Sequence, residues 1–238
     1  MEYKKSRKSR LWLLIGMFFF IMFTCISFLV AKDLNQENKL VNELDRMENM
    51  INAAYTDENI VNLKLNTIVT EGEYAVIESS YKSYLKDYFR VVLEIKSILE
   101  DENVSNILAI KNYEIDGPKF ESTKKLIETT LIKVSDIKKE YEKLIDEDTI
   151  MSYIDGNNLD SYYVDFYLQE IVKDIERLDG LKVVNSLDSK INELNVSNKI
   201  IKLLSENSTK WSINNESIVF SDDSVKNNYE NLICEISN

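Results

Sequence analysis

The sequence predicts a mainly α-helical protein that is anchored in a membrane near its N-terminus. Residues 11–31 form an uninterrupted apolar run without a charged residue. Most of the remaining chain repeats apolar residues every three or four positions, which is the spacing of one helix face. One short segment near the C-terminus alternates apolar and polar residues, as β-hairpins do. We therefore expect a transmembrane helix, an extracytoplasmic antiparallel helical bundle, a small C-terminal β-hairpin and a final helix.

The apolar run has the length of a membrane span. At about 1.5 Å per residue, a helix over residues 11–31 reaches about 32 Å, close to the roughly 30 Å of a bilayer's hydrocarbon core. The leader, residues 1–10, holds five basic residues and one acidic residue, and such basic flanks stay in the cytoplasm. The apolar region of a signal peptide is typically about 7 to 15 residues long, so we expect a retained anchor and keep cleavage as the alternative.

The charge of the rest of the chain is strongly acidic. The full sequence has 29 basic and 41 acidic residues; without the leader, 24 basic and 40 acidic residues remain, a net charge of −16. Such a surface repels nucleic acid and anionic membranes, so neither is an expected partner. The richness in Lys, Asn and Ile is typical of an AT-rich bacterial genome.

We expect one extracytoplasmic domain after a stalk. Residues 32–56 form a juxtamembrane helix with a 3–4 apolar seam, and residues 57–238 form the helical domain. Side chains that cap helices at residues 56–59 predict a break there. The seam of the juxtamembrane helix comprises Leu40, Leu44, Met47, Ile51 and Ala54.

The most regular apolar pattern runs from Ile60 to Ile98 and predicts a long helix with one buried seam. Gly72 lies inside this run, and it marks a bend or a split into two helices, because glycine costs a helix about 1 kcal/mol relative to alanine. The seam comprises Ile60, Leu63, Thr67, Thr70, Tyr74, Ile77, Tyr81, Tyr84, Tyr88, Val91, Ile95 and Ile98.

The segment 101–116 predicts a short helix followed by a loop. Gly117 and Pro118 interrupt the pattern, and Pro118 is suited to open the next helix, which runs to about Ile145. Residues 155–158, Asp-Gly-Asn-Asn, predict a turn.

A further helix follows that turn, capped by Asp160 or Ser161. Gly180 ends or kinks it, and another helical stretch reaches about Ser205. Several helices of this length with short connections favour an antiparallel bundle.

The C-terminal region predicts a hairpin at about 210–221. Apolar residues alternate on both sides of Asn214 and Asn215, which tolerate the positive φ of a tight turn. Because a two-stranded hairpin is marginal alone, we expect its apolar face to pack on the bundle. Residues 221–223, Ser-Asp-Asp, cap a last helix. Cys234, the one cysteine outside the span, is expected to be buried.

The sequence contains little that indicates catalysis. It has no histidine, which removes the commonest general base and a frequent metal ligand, and its five glycines are too scattered for a phosphate loop. Acidic residues are so numerous that no pair identifies a carboxylate-dependent hydrolase, and none match the spacing of an EF-hand. We expect a non-enzyme without a cofactor or metal.

Tyrosine enrichment is the least ordinary feature of the chain. One predicted helix face carries four tyrosines from Tyr74 to Tyr88, and residues 162–167 carry three tyrosines and a phenylalanine. Aromatic stripes at helical spacing are usually core, but several buried phenols together can line a ligand pocket. The candidate ligand or partner contacts are Tyr81, Tyr84, Tyr88, Tyr163, Tyr167 and Trp211.

These observations favour a non-enzymatic, single-span protein whose ectodomain binds another envelope protein or itself. A small-ligand module with a tyrosine-rich interhelical pocket is the first alternative, and a carboxylate-dependent hydrolase is the second. The architecture resembles extracytoplasmic helical sensor modules, but a receptor of that kind needs a second span, and no comparable apolar run follows the first.

Overall fold

The computed structural model describes residues 7–53, 64–177 and 180–236, and it is mainly helical, as predicted. A long N-terminal apolar helix comes first, and a two-stranded antiparallel hairpin with a final helix closes the chain. The elements are α1 (Arg7–Ala53), α2 (Glu73–Leu99), α3 (Glu102–Ser105), α4 (Ile110–Asp116), α5 (Glu121–Leu144), α6 (Glu147–Ser152), α7 (Ser161–Arg177), α8 (Gly180–Glu206), β1 (Trp211–Asn214), β2 (Ser217–Phe220) and α9 (Asp223–Ile236).

The chain divides into two compact units. Unit 1 comprises Met1–Ser83 and Ile154–Tyr167, and unit 2 comprises Tyr84–Tyr153 and Leu168–Asn238. The boundaries fall inside α2 and α7, so each of these helices contributes residues to both units.

Helix α1 joins the predicted span and the juxtamembrane segment without a break. Of the described helices, it alone is long and apolar enough to cross a membrane, and its side chains from Ile15 to Leu34 are exposed. After this exposed stretch Gln36 is buried, and so are Leu40, Leu44 and Met47 further along the helix. The predicted seam is thereby confirmed as far as Met47. Ala54 and the predicted break at 56–59 lie outside the described residues, and the burial of Ile51 is also outside what the structure describes.

The predicted helix from Ile60 to Ile98 is not continuous, because residues 67–72 form a loop before α2 begins at Glu73. Of the two alternatives predicted at Gly72, a bend or a split, the structure has the split. Gly72 adopts a φ of 65°, a conformation that favours glycine. Thr70 is buried, as predicted, although it lies in the loop and not on a helix face. Its hydroxyl and its amide both donate to Glu78. Within α2 the predicted seam is buried at Tyr74, Ile77, Tyr81, Tyr84, Tyr88, Val91 and Ile95.

Two local predictions between residues 101 and 123 are wrong. The loop predicted at the end of the segment 101–116 is instead helix α4, and Pro118 does not open the next helix, since α5 begins at Glu121. The Asp116 carboxylate accepts hydrogen bonds from the amide and the hydroxyl of Thr123, both at 2.7 Å. The first turn of α5 therefore receives its cap from the preceding helix, which the local sequence pattern does not encode.

In unit 2, helices α5 and α8 pack antiparallel, and α9 packs against α8. Lys124 of α5 donates to Ser205 near the end of α8, whereas Lys138, further along α5, donates to Asp188 near its start. The facing apolar positions are buried, among them Ile127, Val134, Ile137, Leu187, Leu194 and Ile201. This arrangement confirms the predicted antiparallel bundle.

The two helix boundaries around α7 lie near their predicted places. Gly156 and Asn158 have positive φ in the predicted turn before α7, and Gly180 is the first residue of α8. Residues 178–179, which separate the two helices, lie outside the described part of the chain.

The hairpin is present, with its turn one residue later than predicted. Ile213 pairs with Ile218 and Asn214 pairs with Ser217, so Asn215 and Glu216 form the two-residue connection, with φ of 47° and 56°. The Asp222 carboxylate accepts from the amide of Val225 and caps α9, as predicted.

Cys234 is exposed on α9, which corrects the expectation that it is buried. Among the described residues of α9, the Val225 side chain is buried, and those of Tyr229, Leu232 and Ile236 are half-buried. The helix is therefore covered along one side, and Cys234 lies outside that side.

Candidate functional site

The candidate tyrosines of unit 2 lie in one cluster of aromatic rings. The Tyr84 ring stacks on Tyr88 with centroids 6.0 Å apart and meets the edge of Tyr153 at 5.6 Å. Tyr88 in turn lies 5.9 Å from Tyr141, and their hydroxyl oxygens are 3.4 Å apart. We call these four residues the tyrosine cluster. Because ring faces and edges contact one another, the geometry is that of a packed core.

The hydroxyls of the tyrosine cluster differ in their hydrogen-bond partners. Tyr153 donates to the Asp87 carboxylate at 2.7 Å. The Tyr84 hydroxyl is buried and has no hydrogen-bond partner among the described residues. Burial, together with nearby Tyr141 and Tyr153, raises the pKa of Tyr84. A buried donor without an acceptor costs about 1–3 kcal/mol, so the Tyr84 hydroxyl carries a cost that the bonded Tyr153 hydroxyl does not.

The candidate tyrosines of unit 1 differ in burial. Tyr81 and Tyr167 are fully buried, and the Tyr81 hydroxyl has no partner among the described residues. Tyr163 is half-buried, with its ring 5.2 Å from Tyr74 and 5.3 Å from Tyr162. Burial and a hydrogen bond to the Glu73 carboxylate raise the pKa of Tyr163 to about 12. It therefore stays protonated at neutral pH and acts as a donor.

Trp211 packs the hairpin against other residues of unit 2. Its ring stacks on Phe120 at 5.9 Å and meets Tyr113 at 6.3 Å, and its indole N–H donates to the Leu204 carbonyl at 2.8 Å. A side chain at Gly117 would overlap the Tyr113 carbonyl oxygen and press on the Trp211 ring. The half-buried indole is thus held on both its apolar face and its polar edge.

A buried ion cluster in unit 1, formed by Glu43, Glu78 and Lys82, is absent from the sequence-based candidates. The Lys82 ammonium lies 2.9 Å from the Glu43 carboxylate and 2.6 Å from that of Glu78, and the three side chains are at most 6% exposed. The Arg46 guanidinium lies 3.3 Å from each of the two oxygens of the Glu43 carboxylate. Two cations therefore balance two carboxylates, which is the condition for keeping charges out of water.

Glu78 also binds the backbone of the loop before α2. One of its oxygens accepts from the Thr70 amide and hydroxyl at 2.9 and 2.7 Å, and both oxygens lie within 3.1 Å of the Val69 amide. Burial alone would raise the pKa of Glu78, but hydrogen bonds from Lys82, Thr70 and Val69 outweigh it and hold the pKa below its ordinary value. The carboxylate is therefore ionised at neutral pH.

Two further contacts attach the same loop to its neighbours in unit 1. The Lys82 ammonium donates to the Thr67 carbonyl, and the Glu71 amide donates to the Gln36 side chain at 3.1 Å. We call residues 67–72 the clamped loop, because α1 and α2 hold it through side chains. The ion cluster therefore connects α1, the clamped loop and α2.

The sequence did contain a signal for the ion cluster. Glu43 follows Leu40 by three positions and so lies on the buried face of α1, and Glu78 and Lys82 are four residues apart beside the seam of α2. Charged residues at such positions are buried only in pairs, so an acid and a base on two facing seams predict an ion pair.

The described residues contain no group of three metal-ligating side chains that could hold a metal ion. No protein-family model matches the sequence, and comparison with curated proteins and with solved structures found no significant match.

Proposed function

We propose that this is a single-pass protein of the bacterial cell membrane that acts by protein–protein interaction and not by catalysis. Its N-terminus lies in the cytoplasm, and its helical domain, on the other side, binds another envelope protein or a second copy of itself. The observation that carries the proposal is the continuity of α1, which runs from its exposed apolar part into the buried seam that begins at Gln36. The basic leader supports this orientation.

A continuous helix sets the position of unit 1 relative to the membrane. The ion cluster attaches α1 to α2 about two turns beyond Gln36, since Glu43 is seven residues further along. A flexible tether would let the distance between unit 1 and the membrane vary, whereas this arrangement keeps that distance fixed. A fixed height suits a protein that presents a surface to a neighbour in the same envelope.

The non-catalytic part of the proposal is supported by the side-chain chemistry. The sequence has no histidine, and Glu78, the most deeply buried carboxylate among the described residues, is bound by a lysine, a hydroxyl and two amides. Such a carboxylate is stabilised as an anion and is a poor general acid or base.

Cross-linking in intact membranes tests the interaction. Cells that make the tagged full-length protein are treated with an amine-reactive cross-linker, and the tagged material is purified in detergent. We expect a discrete adduct containing a second copy or one other envelope protein. Recovery of the uncross-linked chain alone would contradict the proposal.

A matched pair of variants tests the contribution of the rigid helix. Ala31 and Asn35 are exposed on α1. Glycine costs a helix about 1 kcal/mol per site relative to alanine, so Ala31→Gly with Asn35→Gly should loosen the helix, while Asn35→Ala should not. We expect less adduct from the glycine variant than from the alanine variant. Equal yields would show that helix continuity does not contribute.

Ligand binding is a second candidate, favoured by the unpartnered Tyr84 hydroxyl. A small ligand with an acceptor atom would satisfy this donor in the tyrosine cluster. A thermal-shift screen of the full-length protein in detergent tests this candidate. A ligand that raises the melting temperature of the wild type, but not of Tyr84→Phe, would support ligand binding at the tyrosine cluster. A ligand that shifts both equally would not use this hydroxyl.

A further inference from the structure

We propose that the clamped loop is a second membrane contact, which places the side chains of Ile68 and Val69 in the headgroup layer beside the point where α1 leaves the bilayer. The inference rests on the proposed function in one respect only, that α1 spans the membrane. It adds a lipid-binding surface to a part of the chain that the apolar run does not include.

The height of the loop follows from its contacts with α1. The Glu71 amide donates to Gln36 at 3.1 Å, and the Glu71 carboxylate lies 3.9 Å from the Lys32 ammonium. Gln36 is five residues beyond the end of the predicted span at Ala31, which is about 7.5 Å along a helix. The headgroup region adds roughly 5–8 Å to each side of the hydrocarbon core. The loop therefore docks at headgroup height.

The loop exposes apolar side chains while its backbone is fixed. Ile68 and Val69 are 42% and 41% exposed, although they adjoin the buried Thr70. The backbone around them is held by Glu78 and Lys82, which bind the Val69 and Thr70 amides and the Thr67 carbonyl. Fixing the backbone in this way removes most of the ordering cost of insertion, so two apolar side chains are presented rigidly at an interface where such groups are favoured.

Other residues of unit 1 near Gln36 also combine exposed apolar and polar groups. Tyr162 is 52% exposed and donates through its hydroxyl to Glu37, the residue after Gln36. Tyrosine is enriched at membrane–water interfaces because one end of its ring is apolar and the other polar. A recess of about 580 Å³ lies here, lined by Leu29, Val30 and Leu34 and by Lys32, Gln36 and Glu71 among others. Its lining combines apolar and polar groups, as a headgroup and the top of an acyl chain require.

The charges decide which lipids the loop contacts. Glu71 and Glu73 are exposed in or beside the loop, and Asp33 and Glu37 lie on the adjacent turn of α1. These acids give no attraction to an anionic surface, so insertion is apolar in origin. Zwitterionic lipid should therefore bind the loop at least as well as anionic lipid.

Spin-label accessibility tests the proposal on the full-length protein reconstituted in phosphatidylcholine vesicles. In a Cys25→Ser, Cys234→Ser background, a nitroxide is attached at Ile68→Cys or at Val69→Cys. The matched control is Ser83→Cys, which is exposed on α2 in the same unit, about three turns further from the loop. Collision with oxygen, which concentrates in lipid, is compared with collision with a water-soluble nickel chelate.

We expect the ratio of oxygen to nickel accessibility at residues 68 and 69 to exceed that at residue 83 several-fold, and added phosphatidylglycerol not to increase it. Equal ratios at the three sites would overturn the proposal. Low accessibility to both reagents at residue 68 would also overturn it, because that result indicates a protein contact in place of lipid. A label at native Cys25 in a Cys234→Ser background tests the premise that α1 spans the membrane independently of the loop. Access of the nickel chelate to that label would show that α1 does not span.

Discussion

Tyr84 and Tyr153 show how much the partner of a single hydroxyl matters within one packed cluster. Their ring centroids are 5.6 Å apart, yet the hydroxyls differ. The Tyr153 hydroxyl donates to the Asp87 carboxylate, whereas the buried Tyr84 hydroxyl has no partner among the described residues. The same chemical change at the two sites should therefore have opposite effects on stability, since an unmet donor costs free energy and a satisfied one contributes it.

We expect Tyr84→Phe to leave the free energy of unfolding unchanged or to raise it by about 1 kcal/mol, because it removes an unpaired polar atom. Tyr153→Phe, the matched control, should lower it by about 1–2 kcal/mol through loss of the bond to Asp87. Urea unfolding of the detergent-solubilised protein measures both. A larger loss from Tyr84→Phe than from Tyr153→Phe would mean that the Tyr84 hydroxyl has an acceptor.

The hairpin turn holds a residue that its backbone conformation disfavours. Glu216 has a φ of 56°, which costs a residue with a Cβ about 1 kcal/mol relative to glycine. Glu216→Gly should therefore raise the free energy of unfolding by about 1 kcal/mol, whereas Asn215→Gly should change it less, because asparagine tolerates this region. Melting temperatures of the two variants test this, and a fall with Glu216→Gly would show that the glutamate side chain makes a stabilising contact.

At the scale of the elements, the ion cluster connects α1, the clamped loop and α2. Because hydrogen bonds hold the pKa of Glu78 below its ordinary value of 4.5, the ionised carboxylate stabilises the fold. That contribution is complete above pH 4.5 and is lost as the pH falls through the lowered pKa of the folded state. Acid should therefore loosen the clamped loop.

We expect Glu78→Gln to cost about 3 kcal/mol at pH 7, since it weakens a buried pair and leaves Lys82 with one carboxylate. The variant should also lose less stability than the wild type between pH 5 and pH 3. Glu71→Gln is the control, because its exposed ion pair with Lys32 contributes about 0–1 kcal/mol. Urea unfolding at each pH, with hydrogen exchange of the Val69 and Thr70 amides, measures both effects. Wild-type stability in Glu78→Gln would contradict the structural role of the cluster.

The hairpin, in turn, is attached through Trp211. Trp211→Ala should lower the free energy of unfolding by about 3 kcal/mol, near the lower end for an aromatic core residue because the ring is half-buried. Val219→Ala, an exposed position of the same hairpin, should change it by less than about 0.5 kcal/mol. If Trp211→Ala melts like the wild type but loses the cross-linked adduct, the indole is a partner contact.

The elements that the sequence predicts well are those whose position depends on periodic burial. Helices α2, α5 and α8 repeat apolar residues at 3.6-residue spacing, and that spacing alone determines which face is covered. The errors lie where a side chain binds a distant backbone amide. Glu78 holds Val69 and Thr70 in a loop, and Asp116 caps α5 from the preceding helix. No local pattern encodes those bonds. Burial of the candidate tyrosines of α2 followed from the seam, whereas the ion cluster depends on the pairing of α1 with α2, which periodicity does not specify.

At the scale of the whole molecule, the distribution of charge is strongly asymmetric. The leader carries five basic residues and one acidic residue, and the chain after the apolar run has a net charge of −16. Acidic residues contribute little to topology, whereas basic residues close to a span are retained in the cytoplasm. The asymmetry therefore favours one orientation without competition from the larger, acidic part.

Cysteine labelling on intact cells tests that orientation. Cys234 is exposed on α9, so a membrane-impermeant maleimide should label it in the folded protein without denaturant. A Cys234→Ser, Ser6→Cys variant places the thiol in the leader and should react only after the cells are permeabilised, while Cys25, within the apolar run, should resist the reagent in both states. Labelling at position 6 on intact cells together with protection of Cys234 would reverse the orientation. Protection of both until permeabilisation would place the whole chain inside the cell, and the proposed envelope partner would then have to be abandoned.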